Sequence, residues 1–138
     1  MEFTPARHAV RARRAIAGLV LGGLVAAGLL VHGTLPDSAA TDIAGDALYA
    51  AAVYVAIVVV APRVPVFAVG AIAASWCVAV ELFQLTGLPL AWGARFTPAM
   101  LVFGTVFDAR DLVVYVAAIS VATVLDALIR RIARKRAG

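Results

Sequence analysis

The chain has 138 residues, 64% of them hydrophobic, and a mean hydropathy of +0.99, far above the roughly 45–50% apolar usage of a soluble domain. A water-soluble globular fold is excluded on that ground. The net charge of +4 would suggest nucleic acid in a soluble protein, but the basic residues flank apolar runs at the chain ends, which is a topology signal and excludes a nucleic-acid partner.

The first apolar run, residues 15–33, follows Arg7, Arg11, Arg13 and Arg14 and ends in Thr34-Leu35-Pro36-Asp37-Ser38. It reads as a first span. A signal peptide is the rival reading, since Ser38-Ala39-Ala40 resembles a cleavage site, although the run is longer than the usual apolar region of such peptides. Within it Gly18 and Gly22 form a GxxxG pair, continued by Ala26, and this stripe predicts close helix packing or self-association.

The second run, residues 43–61, is preceded by Thr41 and Asp42, both helix-capping types. It stops at Pro62-Arg63-Val64-Pro65, a tight connection that makes spans two and three antiparallel neighbours. The third run covers residues 66–88, broken in polarity by Ser75, Glu81, Gln84 and Thr86. Cys77 within it is the only cysteine, so no intrachain disulfide or multi-cysteine metal site can form.

Gly87 to Arg95 is turn-rich, with Trp92 suited to a membrane interface. Residues 96–107 are largely apolar but too short to span, so an interfacial or re-entrant segment is expected. The last long run, residues 112–129, opens with Asp108 as an N-cap and Asp111 three residues later, a capping-box-like start.

Charge decides the number of spans. With four, Arg7, Arg11, Arg13, Arg14, Arg63, Arg130, Arg131, Arg134, Lys135 and Arg136 lie inside, and only Arg95 and Arg110 of the 12 basic residues lie outside. A fifth span would translocate the basic tail, against the positive-inside bias. The expected fold is therefore an all-α membrane protein, one transmembrane domain over residues 1–138. It has four transmembrane helices, both termini in the cytoplasm, and a short interfacial or re-entrant apolar segment between helices three and four.

That topology brings polar residues to one depth. Asp46 and Tyr49 lie at the outer end of span two, Glu81 and Gln84 in the outer half of span three, and Asp111 and Tyr115 in the first turns of span four. Each pair is three or four residues apart and so shares a helix face. Glu81, seven residues before Leu88, would sit on the order of 10 Å inside the membrane. A carboxylate there costs about 2.5 kcal/mol or more unless it is protonated, paired or facing a polar cavity. Arg95 is its nearest basic candidate. The cluster has two readings, a buried ion-pair network that fixes helix register and an outward-facing pocket for a polar head group, ion or proton.

Elsewhere, Asp126 is placed to pair with Arg130 one turn on. His8 and His32 are far apart. The basic tail from Arg130 serves as a topology anchor that could attract anionic lipid. There is no phosphate-binding glycine loop, GxSxG elbow, HExxH or cysteine pair, which weakens the case for an enzyme and suggests no cofactor or metal. Glu81 and Asp111 could act as acid and base, but nothing in their spacing requires it.

Gly45-Asp46-Ala47-Leu48-Tyr49-Ala50, Glu81-Leu82-Phe83-Gln84-Leu85, Arg95, Leu101-Val102-Phe103-Gly104 with Phe107, and Asp111-Leu112 with Tyr115 together resemble a family of small bacterial membrane proteins of unknown function related to the VanZ-like proteins. The likeness runs from about Gly45 to Tyr115 and departs at Val116-Ala117-Ala118, where relatives tend to carry a glycine. It implies the same fold and residue set without supplying a reaction. The expected function is a non-enzymatic envelope protein that binds a lipid head group or other polar ligand. The alternatives are an accessory subunit of a membrane complex and an intramembrane lipid-modifying enzyme.

Overall fold

The computed structural model describes residues 5–137, with side chains placed for 7–135; the side chain of Arg136, counted above in the basic tail, lies outside the described residues. Six helices follow in order: α1 (Pro5–Thr34), α2 (Ala39–Val60), α3 (Val66–Gln84), α4 (Leu88–Gly93), α5 (Pro98–Phe103) and α6 (Ala109–Ala137). Of these, α1, α2, α3 and α6 are long and apolar enough to cross a membrane. The connections between α1, α2 and α3 are short, so successive long helices run antiparallel. The start of α1 and the end of α6 therefore lie at one end of the bundle, and α4 and α5 at the other.

Helix ends depart from the sequence expectation for identifiable reasons. Helix α2 begins four residues before residue 43, because Ser38 rather than Thr41 or Asp42 is its N-cap. The Ser38 hydroxyl accepts the Thr41 N–H at 3.2 Å and the Thr41 hydroxyl accepts the Ser38 N–H at 2.9 Å, a reciprocal capping box. Helix α3 ends at Gln84 and not at Leu88. The Thr86 hydroxyl donates to the Phe83 carbonyl at 2.6 Å, and Gly87 reverses the chain at φ 71°, a conformation that glycine adopts without strain. The stretch 96–107 is the single turn-and-a-half of α5 followed by a loop, with Gly104 at φ 62°.

Helix α3 is the central element. Its buried residues Val66, Val69, Gly70, Ala73, Cys77, Val80, Glu81 and Gln84 recur every three or four positions. That spacing puts them on one face. They meet Ala50, Tyr54 and Val58 of α2 and Tyr115 and Ile119 of α6. The close approach of backbones occurs at Gly70, where a Cβ would fall 2.6 Å from the Thr123 hydroxyl oxygen of α6. Helix α1 lies along α2 and reaches α6 only through Arg13, with Ala17 as its buried residue.

The small-residue stripe of α1 faces away from the bundle. Gly18, Gly22 and Ala26 are exposed, and a Cβ on either glycine would meet open space. The close packing expected there is not made within the chain, because α1 turns the Ala17 face toward α2 instead.

Candidate functional site

Three helix ends converge beside α5. Helix α2 enters with Asp46 and Tyr49, α3 leaves with Glu81 and Gln84, and α6 enters with Asp108, Asp111 and Tyr115. Because α3 ends at Gln84, Glu81 is only three residues, about 5 Å of helix rise, from its end. It is nevertheless fully buried, at 0% exposure. The cover comes from the protein and not from depth, since the chain folds back over it between Phe103 and Asp108.

Two hydrogen bonds hold that return. The Gln84 Nε2 donates to the Phe103 carbonyl at 2.9 Å, and the Asp108 N–H donates to Glu81 Oε2 at 3.3 Å. The other oxygens, Glu81 Oε1 and Gln84 Oε1, are buried without a hydrogen bond of good geometry, as is Arg130 Nε at the other end of the bundle, and the Tyr115 hydroxyl lies beside the Glu81 carboxyl. Orphaned buried acceptors are rare and costly, about 1–3 kcal/mol each. Asp108 does cap α6, accepting the Arg110 N–H at 2.8 Å. Its own N–H goes to Glu81, so the expected reciprocal box with Asp111 does not form.

Around these, Tyr49 donates to the Val102 carbonyl at 2.7 Å and accepts the Trp76 indole N–H at 3.0 Å. Tyr115 is buried, its hydroxyl 3.5 Å from Asp46 Oδ1 and beside Glu81, and its ring centroid is 6.0 Å from that of Tyr49. The carboxyl groups of Asp46 and Asp111 face each other. The structure thus brings together Asp46, Tyr49, Glu81, Gln84, Asp111 and Tyr115 and leaves Arg95 apart.

Arg95 is exposed and makes no ion pair with Glu81. The pairing expected of Arg95 as the basic residue nearest Glu81 in sequence is not made, because α4 intervenes between α3 and Arg95. Arg95 lines an apolar groove of about 510 Å³ with Trp92, Phe96, Pro98, Ala99, Val102 and Phe103. The basic residue nearest the acidic cluster is Arg110, which bridges Asp108 at 3.5 Å and Asp42 at 3.9 Å on the exposed rim. Sequence reading saw Asp42 and Asp108 only as helix caps, since both lie at helix starts.

The opposite end of the bundle holds a second polar group. Asp126 accepts from Arg13 Nη2 at 2.6 Å, lies 3.3 Å from Arg130 Nε, and accepts the Tyr54 hydroxyl at 3.0 Å. Arg13 also donates to the Pro62 carbonyl, and Arg130 donates to that of Val64 at 3.1 Å. The Asp126–Arg130 pair follows from helical spacing. Arg13 and Tyr54 come from distant parts of the chain, and the signal that could have found them is depth: all three helices place a polar residue at the same level above the termini.

Chemically, the first cluster offers carboxylate and amide oxygens in excess of donors, so it suits a group that brings both positive charge and N–H or O–H bonds. The second sets two arginines on one aspartate, so it offers no unpaired carboxylate. Comparison with known proteins returns no matching curated protein and no matching solved structure. Residues 35–119 match a family described as a protein of unknown function (DUF2809). The match takes in every residue of the acidic cluster and Arg95, and stops before Asp126. Since it covers well over half of the chain, this protein belongs to the DUF2809 family.

Proposed function

We propose that the protein is a non-enzymatic, multi-pass protein of the bacterial plasma membrane that holds a polar ligand with a positively charged group, such as the amine of a lipid head group, at its acidic end. The observation that carries this reading is the surplus of acidic groups: Asp46, Glu81 and Asp111 share one cluster, none within ion-pairing distance of a described Lys or Arg, and the buried Gln84 Oε1 beside them has no hydrogen bond of good geometry. Ionisable residues in a membrane segment are costly and mark functional sites. A ligand ammonium would supply the missing charge and hydrogen bonds together.

The positive-inside bias supports an orientation with both termini in the cytoplasm and the acidic cluster facing outward. A kinship with the VanZ-like bacterial proteins belongs to this reading and fits an envelope role. The test is lipid retention: the protein is extracted in mild detergent, and bound lipid is identified by native mass spectrometry. Wild type should retain an amine-headed lipid, and Glu81→Gln, which keeps the shape and removes the acid, should lose it at unchanged thermal stability. Equal retention by both, or collapse of the fold in both Glu81→Gln and the half-buried Asp46→Asn, would assign the cluster a purely structural role.

A second reading is favoured by α1. Its stripe Gly18, Gly22 and Ala26 is open and its flank is apolar, with Leu19 80% exposed. Such a face suits a second transmembrane helix, from a partner subunit or another copy of this chain.

A further inference from the structure

We infer that the acidic cluster is a proton-exchange site, in which Asp46 and Asp111 share one proton and a cationic ligand enters by displacing that proton to water. The exchange half of this inference rests on the reading above. The shared proton rests on the packing of α2 against α6 alone.

Asp111 lies one turn before Tyr115 on α6, so the two side chains share a face. That face meets α2 at Asp46, whose Oδ1 is 3.5 Å from the Tyr115 hydroxyl, and the Asp46 and Asp111 carboxyl groups come within hydrogen-bonding reach of each other. Two carboxylates bring acceptors and no donor, so the contact is repulsive while both are ionised. One proton held between them turns the same contact into a hydrogen bond.

The neighbouring elements offer no other remedy. Asp42 of α2 and Asp108 of α6 add like charge, and Arg110 is drawn to those two at 3.9 and 3.5 Å. Helix α5 and the loop up to Asp108 carry no titratable residue, and His32, at the near end of α1, is exposed. Helix α3 contributes Glu81, fully buried, whose carboxyl accepts the Asp108 N–H at 3.3 Å and lies beside the Tyr115 hydroxyl. Glu81 therefore has donors from the chain, whereas the two aspartates have each other. Tyr115 stands between, a hydroxyl able to accept on one side and donate on the other. Gln84 is 7% exposed with an Oε1 that has no hydrogen bond of good geometry, so the cluster lacks a donor that the chain does not bring.

An ammonium group brings one positive charge and up to three N–H donors. On its entry the O–H bond of the shared proton breaks, the proton passes to water, and both carboxylates accept from the ammonium. One positive charge enters and one leaves, so the cluster gains no uncompensated charge, which would be costly in a membrane. Asp46 and Asp111 are partly exposed, which gives the proton its way out.

The test uses the full chain purified in mild detergent. Infrared spectra at neutral pH should show a carboxylic-acid C=O band that is lost in both Asp46→Asn and Asp111→Asn, because the proton belongs to the pair, and that survives Glu81→Gln. Titration with phosphatidylethanolamine in weakly buffered micelles should release one proton per lipid bound, read with a pH indicator. Its apparent affinity should rise about tenfold per pH unit, the slope of a one-for-one exchange. Phosphatidylglycerol should release no proton. A band lost only in Glu81→Gln, or missing from wild type at neutral pH, overturns the shared proton. Phosphatidylethanolamine bound without proton release and with pH-independent affinity overturns the exchange and leaves the amine reading intact. A shared band without binding of phosphatidylethanolamine keeps the proton pair and overturns the amine reading.

Discussion

At the end of the bundle where α1 begins and α6 ends, Asp126 lies between Arg13 and Arg130 with the Tyr54 hydroxyl on the same carboxylate. At the other end, Asp46, Glu81 and Asp111 are gathered around Tyr115 while the nearest arginine, Arg110, is occupied by Asp42 and Asp108 on the rim. The two polar groups share α2 and α6 but differ in charge. In the first each charged side chain lies within ion-pair distance of an opposite charge, although Arg130 Nε lacks a hydrogen bond of good geometry. In the second Asp46, Glu81 and Asp111 have no such partner among the described residues. The Asp126 network joins α1, α2, the α2–α3 connection and α6, and every charge in it meets an opposite one. It fixes how the helices sit against one another. The acidic group, with three carboxylates and no described Lys or Arg within ion-pair distance of them, is built as if a further component belonged to it.

The contrast predicts opposite responses to removing a carboxylate. Asp126→Ala strands two arginines that are only a quarter or less exposed. It should lower stability by about 3 kcal/mol, read as the shift of the unfolding midpoint in mixed micelles. An undiminished midpoint would show that the network is ornamental. Asp111→Asn removes one of several like charges and should leave stability unchanged or raise it by about 1 kcal/mol, as is common where a site is held for function at the expense of stability. A loss as large as that of Asp126→Ala would mean that the two clusters do the same structural work.

The smallest effect on the isolated chain is expected at Gly18→Leu. The residue faces open space, so monomer stability should hold within about 0.5 kcal/mol. Any self-association or partner binding along α1 should fall sharply, measured by energy transfer between labelled copies in bilayers or by co-purification. Unaltered association would remove α1 as an interface.

The long helices were legible because they follow from solvent and periodicity. An apolar run in hydrocarbon must close its backbone hydrogen bonds internally, which makes it a helix. The buried face of α3 can be read directly from the spacing of Val66, Gly70, Ala73, Cys77, Glu81 and Gln84. Helix ends were less legible. The Ser38–Thr41 box and the Thr86–Gly87 turn each depend on a side chain choosing one backbone partner among several. In the site, the residues on α2, α3 and α6 were foreseen because antiparallel topology alone brings their ends together. Arg95 was misplaced because its position depends on how α4 and α5 fold back, which no periodic pattern records.

The sequence by itself determined that this protein lives among apolar helices, that four of them can cross a membrane, and that acidic residues of three helices share one end of the bundle. These follow from composition, charge distribution and helical spacing, all local properties of the chain. Only the tertiary structure decided which charges meet. Asp126 found Arg13, 113 positions away, Glu81 found a backbone N–H instead of an arginine, and Arg95 was turned toward an apolar groove. An ion pair needs its partners within about 4 Å, and such distances are set by packing between helices rather than by the order of residues along any one of them.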